Sequence, residues 1–222
     1  MCNEIQERAT RIFEQLKQDK KLSQYVDGTL HIPKPYHGTG EIKLIVLGQD
    51  PTVKNPVSRK RIKTVLNLDK NRSVKAYLSR VCSVLGISVK ENAYATNLYK
   101  NFFVHPPTQI FDVNIFLEFI GTWLPLLKDE LALFGQVPII TLGEPILAPL
   151  LRIGVPAKVR HYWGYTPDWK NGKSYPFQHV KPQDNKLGRV IFPFPHQPSI
   201  RTQFYRTKLD DYTSYMKSMV FP

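Results

Sequence analysis

IKLIVLGQDP, residues 42–51, decides the fold. From Ile42 to Leu47 every residue except Lys43 is a branched apolar one, with no polar alternation. Such a run marks a strand buried on both faces, and strands of that kind belong to parallel sheets covered by helices. The glycine that follows supplies a turn, and Pro51 locks the chain beyond Asp50. Working outward, AYATNLY (93–99), VPIITLG (137–143) and GRVIFPFP (188–195) read as three further strands. Helical periodicity lies between and around them: 3–20 with Ile5, Ile12, Phe13 and Leu16 on one face, 74–87, and 113–135 with an interruption expected at Pro125. A short helix is expected near 145–152 and a closing one at 203–219. Residues 158–163 read as another strand or an extended segment, and 164–187, rich in Gly, Pro, Lys and Asp, as a long loop. Strands alternating with helices predict an α/β protein: a three-layer α/β/α sandwich around a central, mainly parallel four-stranded sheet.

With 222 residues and 42% apolar composition, a single domain spanning 1–222 is expected, with no need of disulfides or a structural metal. No apolar stretch approaches the length of a membrane span, and charges break up the amino-terminal apolar positions, so neither membrane insertion nor a secretory signal is expected. Cys2 and Cys82 are too few for a disulfide framework or a four-cysteine cluster. These features predict a cytoplasmic, monomeric protein. The chain also lacks a G-x-S-x-G elbow, a G-x-x-x-x-G-K phosphate loop and a G-x-G-x-x-G turn, and its six histidines show no metal-ligand spacing. No metal and no cofactor is therefore expected.

Charge is distributed unevenly. Net charge is 0 over residues 1–50, +9 over 51–90, −4 over 91–151 and +8 over 152–222. Two segments thus hold the whole excess of +13, and such a protein favours a polyanionic partner, nucleic acid first. Ligands of open parallel sheets sit beyond the carboxyl ends of the strands. Those ends carry an acid (Asp50), an amide (Asn97) and an imidazole (His196), which predicts that the three converge on one rim. Two prolines flank His196 and restrict its loop before any ligand arrives.

At these residues the chain resembles the uracil-DNA glycosylase superfamily over about residues 40 to 218. GQDPT (48–52) is similar to the family's water-activating loop, HQPSI (196–200) to its histidine loop, and YATNLYK (94–100) to the strand whose asparagine reads uracil. The resemblance implies a monofunctional DNA glycosylase that hydrolyses the N-glycosidic bond of a flipped uracil or related damaged pyrimidine, as in base excision repair. Asp50 and His196 would be catalytic. Gln49, Thr52 and Asn97 would bind the base, while Lys60, Arg61, Lys100, Ser199, Arg201 and a wedge residue, Ile200, would contact DNA. Three departures stand out. Thr52 occupies a position where the family places an aromatic residue that excludes the thymine methyl group. Pro198 and Ser199 replace the usual serine and proline. TVLNLDKN (64–71) offers only Leu66 or Leu68 where an aromatic residue stacks on the base. These departures sustain an alternative, a catalytically inactive nucleic-acid-binding relative. A third class, an enzyme acting on free nucleotides, has no need of the two basic segments.

Overall fold

The structure, a computed structural model, describes residues 2–109, 113–173 and 175–220. In chain order the elements are α1 (Cys2–Gln18), β1 (Tyr36–His37), β2 (Leu44–Gly48), α2 (Pro56–Arg59), α3 (Ser73–Leu85), α4 (Val89–Asn92), β3 (Ala93–Asn97), α5 (Val113–Ala132), β4 (Ile139–Leu142), α6 (Glu144–Leu150), α7 (Val159–Tyr162), β5 (Ile191–Phe194) and α8 (Gln203–Val220). The protein is α/β, with a five-stranded, mostly parallel sheet in the order β1-β3-β2-β4-β5. Every residue of β2, β3, β4 and β5 is buried, as uninterrupted apolar runs require of strands covered on both faces. β2 pairs with β4 through Ile45 and Ile139, and β4 with β5 through Ile139 and Ile191, both in parallel. β5 lies at the sheet edge, where Pro193 removes no ladder donor that a central strand would need.

Three expectations need correction. The sheet has five strands rather than four, because β1 is only two residues long and leaves no periodic signal. Residues 159–162 form the short helix α7, not a strand. Val159, Tyr162 and Trp163 are buried at i, i+3 and i+4 spacing, and the Trp163 indole donates to the Pro193 carbonyl at 2.7 Å. α5 runs through Pro125 without a break. A proline ring in a helix crowds the carbonyl four residues earlier, and here that residue is Gly121, whose missing β-carbon faces open space and leaves the backbone free to adjust.

The chain divides into two compact units. The first comprises Met1–Tyr36, Gly48–Asp69 and Ala95–Gly135. In it α1 packs on α5 through a face bearing Ile5, Ala9, Phe13 and Leu16, and Arg8 bonds Asp129 at 2.6 Å on the rim. Tyr99, Phe103 and Phe119 meet edge to face beneath that helix, with ring centres 5.0–6.3 Å apart. The second comprises His37–Leu47, Lys70–Tyr94 and Gln136–Pro222. There α3 packs on α8, and Arg80 makes a bidentate bond to Asp210, both contacts 2.9 Å. Trp163 stacks on Tyr212 with centroids 4.5 Å apart beside Phe194.

Candidate functional site

In the first unit the chain beyond β2 and the chain beyond β3 stay paired after the strands end. Leu98 donates its N–H to the Gly48 carbonyl at 3.0 Å and Tyr99 donates to the Gln49 carbonyl at 2.9 Å. This pairing holds Asn97 alongside Gly48. A β-carbon at Gly48 would lie 2.3 Å from Asn97 Oδ1 and 3.3 Å from a Leu66 methyl, so the glycine makes room for both. Asn97 is only 1% exposed, and its Oδ1 is a buried oxygen with no hydrogen-bond partner. Leaving a buried acceptor unmet costs about 1–3 kcal/mol, so the fold carries a penalty that a donor on a ligand would relieve.

Asp50, two residues beyond Gly48, is half-buried and accepts the Thr52 N–H at 2.7 Å. Burial pushes its carboxyl up to about 6, against the opposing pull of the Thr52 hydroxyl, the Thr52 amide and the Arg59 guanidinium. The Thr52 hydroxyl accepts from the Phe103 N–H at 2.8 Å, which leaves its own proton for Asp50. Thr52 is thus tied down as the brace of the Asp50 loop. Burial beside Asp50 also pushes the Tyr99 phenol far above its ordinary value. Gln49 is half-buried and enters the backbone pairing through its carbonyl.

Arg59 was not among the residues the sequence singled out, yet it organises this loop. It is 4% exposed and donates from Nε to the Val53 carbonyl (2.8 Å) and from Nη1 to those of Phe103 and Val104 (both 2.9 Å), with Asp27 at 3.9 Å. The Asn55-Pro56 pair that starts α2 is the local signal, since the Asn55 side chain caps the Val57 N–H and sets the direction of the turn. Leu66 adopts a left-handed conformation, φ 58° and ψ 10°, that a leucine seldom adopts without compensation. Of the two leucines near the expected stacking position, Leu66 is half-buried and reaches toward Gly48, whereas Leu68 is wholly in the core.

Lys60 and Arg61 are exposed just after α2. Lys100, expected on the DNA-facing surface, is instead 5% exposed and bonded to the fully buried Glu130 and, at 2.5 Å, to Thr96 Oγ1. Its ammonium is pushed below its ordinary range by burial, with Glu130 pulling the other way. It anchors α5 to the end of β3 and has no free charge to offer a phosphate.

The remaining predicted residues lie in the second unit. His196 follows β5 directly and precedes a 3₁₀ turn over Gln197–Arg201. The Tyr77 hydroxyl donates to the Pro195 carbonyl at 3.3 Å, and Gly143, at φ 99°, lets His196 Cβ approach to 3.2 Å from where its own β-carbon would stand. Burial lowers the imidazole below its ordinary value, which favours its neutral form. Ser199 and Arg201 are exposed, and Ile200 is half-buried. Cys82 is buried, with its thiol pushed up to about 12, a poor nucleophile. Among the described residues no group of three His, Cys, Asp or Glu side chains is placed to hold a metal, and no helix is long and apolar enough to cross a membrane. No protein-family model matches the chain, and no curated protein matches it significantly.

Proposed function

We propose that this protein is a DNA glycosylase, a member of the uracil-DNA glycosylase superfamily with its three-layer α/β/α fold, and that it removes uracil or a related damaged pyrimidine extruded from DNA. The observation that carries the reading is the pairing of a half-buried acid, Asp50, with a buried, unpartnered amide oxygen, Asn97 Oδ1, at neighbouring strand ends.

Uracil presents an imino N–H beside a carbonyl. Asn97 Oδ1 would accept from that N–H and its amide N–H would donate to the carbonyl; cytosine offers no proton there and would leave the oxygen unmet. Breaking the glycosidic bond develops positive charge on the sugar and negative charge on the base. The Asp50 carboxylate would oppose the first and orient the attacking water. His196, whose neutral form burial favours, would donate a hydrogen bond to the base oxygen that becomes anionic. With Thr52 in place of an aromatic gate and engaged with Phe103, 5-substituted pyrimidines remain candidate substrates.

A second reading has its own support. Asp50 accepts two bonds from Thr52, so it would serve equally well as a turn brace in a binding protein without catalysis. Single-turnover cleavage of uracil-containing single- and double-stranded oligonucleotides, developed with alkali, separates the two. Cleavage by wild type that falls about 100-fold or more in Asp50→Asn and in His196→Ala, with DNA affinity retained, supports the enzyme. Tight binding without cleavage of uracil, thymine-mismatch or oxidised-pyrimidine substrates supports the binding relative.

A further inference from the structure

The second unit carries three cations seated over aromatic rings. Arg160 lies 4.7 Å from the Tyr165 ring centre, Lys170 lies 5.9 Å from that of Trp169, and Lys208 stands between Phe177 and Phe204 at 5.6 and 5.9 Å. Tyr165 and Trp169 each meet Phe204 edge to face at 5.2 Å, and Lys208 bridges Phe204 to Phe177, which packs on Tyr212. Phe204 is buried and opens α8, while Tyr165, Trp169 and Phe177 are half-buried on the loop after α7. Asp168 has Lys173 at 3.9 Å and Glu144 has Lys158 at 3.0 Å, while Asp211 follows Lys208 by one turn of α8. Even so, positive side chains outnumber acids here, in a segment whose net charge is +8.

We propose that Arg160, Lys170 and Lys208 form a ring-pinned cationic surface that grips the DNA backbone through its phosphates. A long cationic side chain ordinarily loses rotamer freedom when it meets a phosphate; one already held over a ring has less to lose. Tyr165 and Trp169 pack edgewise on Phe204 with a cation over each, so the half-buried rings hold charge in fixed directions and leave only part of their apolar surface for a lipid bilayer to take up. A DNA backbone fits that chemistry and an anionic membrane fits it less well. The inference rests on the DNA-glycosylase reading, but its residues are none of those assigned to base recognition or bond cleavage.

Fluorescence anisotropy of the full chain on an unmodified duplex, at several salt concentrations, tests it. Replacing all three cations by glutamine should lower the magnitude of the log–log salt slope by about two to three, since each lost phosphate contact removes about 0.9. Tyr165→Leu with Trp169→Leu retains every charge and removes two rings; it should weaken binding about threefold to tenfold while the slope stays that of wild type. A triple-glutamine variant, folded by its melting curve, with an unchanged slope overturns the surface, whatever the leucine variant does. Loss of binding to anionic phosphatidylglycerol vesicles with an unchanged DNA slope overturns it in favour of a membrane. A leucine variant that melts like wild type and binds DNA equally well overturns the pinning. Wild-type protein that binds no DNA at any salt concentration defeats the glycosylase reading as well, whereas wild type that excises uracil beside an unaffected triple variant defeats this inference alone.

Discussion

Asp50 combines two properties that pull against each other: its loop needs it as an acceptor, and its surroundings resist its charge. Because burial raises the folded-state carboxyl to about 6, above its ordinary value of 3.8, ionisation is harder in the folded chain than in the unfolded one. The stabilising contribution is then full at low pH and is lost as pH rises from about 4 through 6. Asp50→Asn should accordingly raise the melting temperature at pH 8 relative to wild type, with the difference shrinking toward pH 4; a uniform loss at every pH would contradict the assigned environment. On the proposed glycosylase reading, excision would have the opposite pH dependence, since the ionised form would oppose the sugar cation, and single-turnover rates should climb through about pH 6 to a plateau. Arg59 sets where that climb falls. Arg59→Met removes the nearby cation and should move the midpoint upward, while Arg59→Lys retains the charge, loses the fork of three carbonyl bonds and should move it little although both variants melt earlier. Carbon-13 titration of the Asp50 carboxyl reads the same shift without relying on turnover. Asn97 makes the complementary case. Gly48→Ala would press a methyl group into Asn97 Oδ1, so on the proposed reading base excision should fall well below wild type while the far-ultraviolet circular dichroism stays unchanged.

The segment from β3 to α5 is held by polar groups that the core has swallowed. The Trp123 indole donates to Asn101 Oδ1 at 2.9 Å, and Lys100 bonds Glu130 and Thr96. A buried ion pair adds little net stability over a well-packed apolar pair, but removing one member strands the other charge. Lys100→Met should therefore destabilise the protein by about 3–5 kcal/mol in urea unfolding, and adding Glu130→Leu should recover most of that loss. An equal loss in the double variant would mean that the ion pair specifies the packing of α5 rather than merely neutralising itself. Proline in α5 and in β5 follows one logic at this scale: each sits where the missing N–H or crowded carbonyl is tolerated, after Gly121 in the helix and on the sheet edge in the strand.

For the molecule as a whole, the excess positive charge predicts DNA affinity that falls steeply with salt, through release of condensed counterions. Lys60→Gln with Arg61→Gln should reduce the salt slope by about one to two if these exposed side chains meet phosphates. An unchanged slope returns them to the role of solvated surface charges. Lys100→Met should leave the slope alone, because its charge is already satisfied inside the protein.

The four long strands, the turn acid at Asp50 and the two basic segments were legible along the chain, because each depends on residues adjacent in sequence: an unbroken apolar run, a Gly-Gln-Asp-Pro turn, a local surplus of Lys and Arg. Burial of a charge has no such local signature. Arg59 and Lys60 are neighbours in one basic run, yet Arg59 turns inward because backbone carbonyls more than forty residues away meet its guanidinium. Lys100 turns inward because Glu130 waits for it on α5. The helix at 159–162 escaped for a related reason, since four residues are too few to show a period until the Trp163 indole and its Pro193 partner set which side faces in. So, too, with Asn97: its place at a strand end is a sequence property, but the unmet need of its oxygen arises only where the packing around Gly48 shuts out water and supplies no donor.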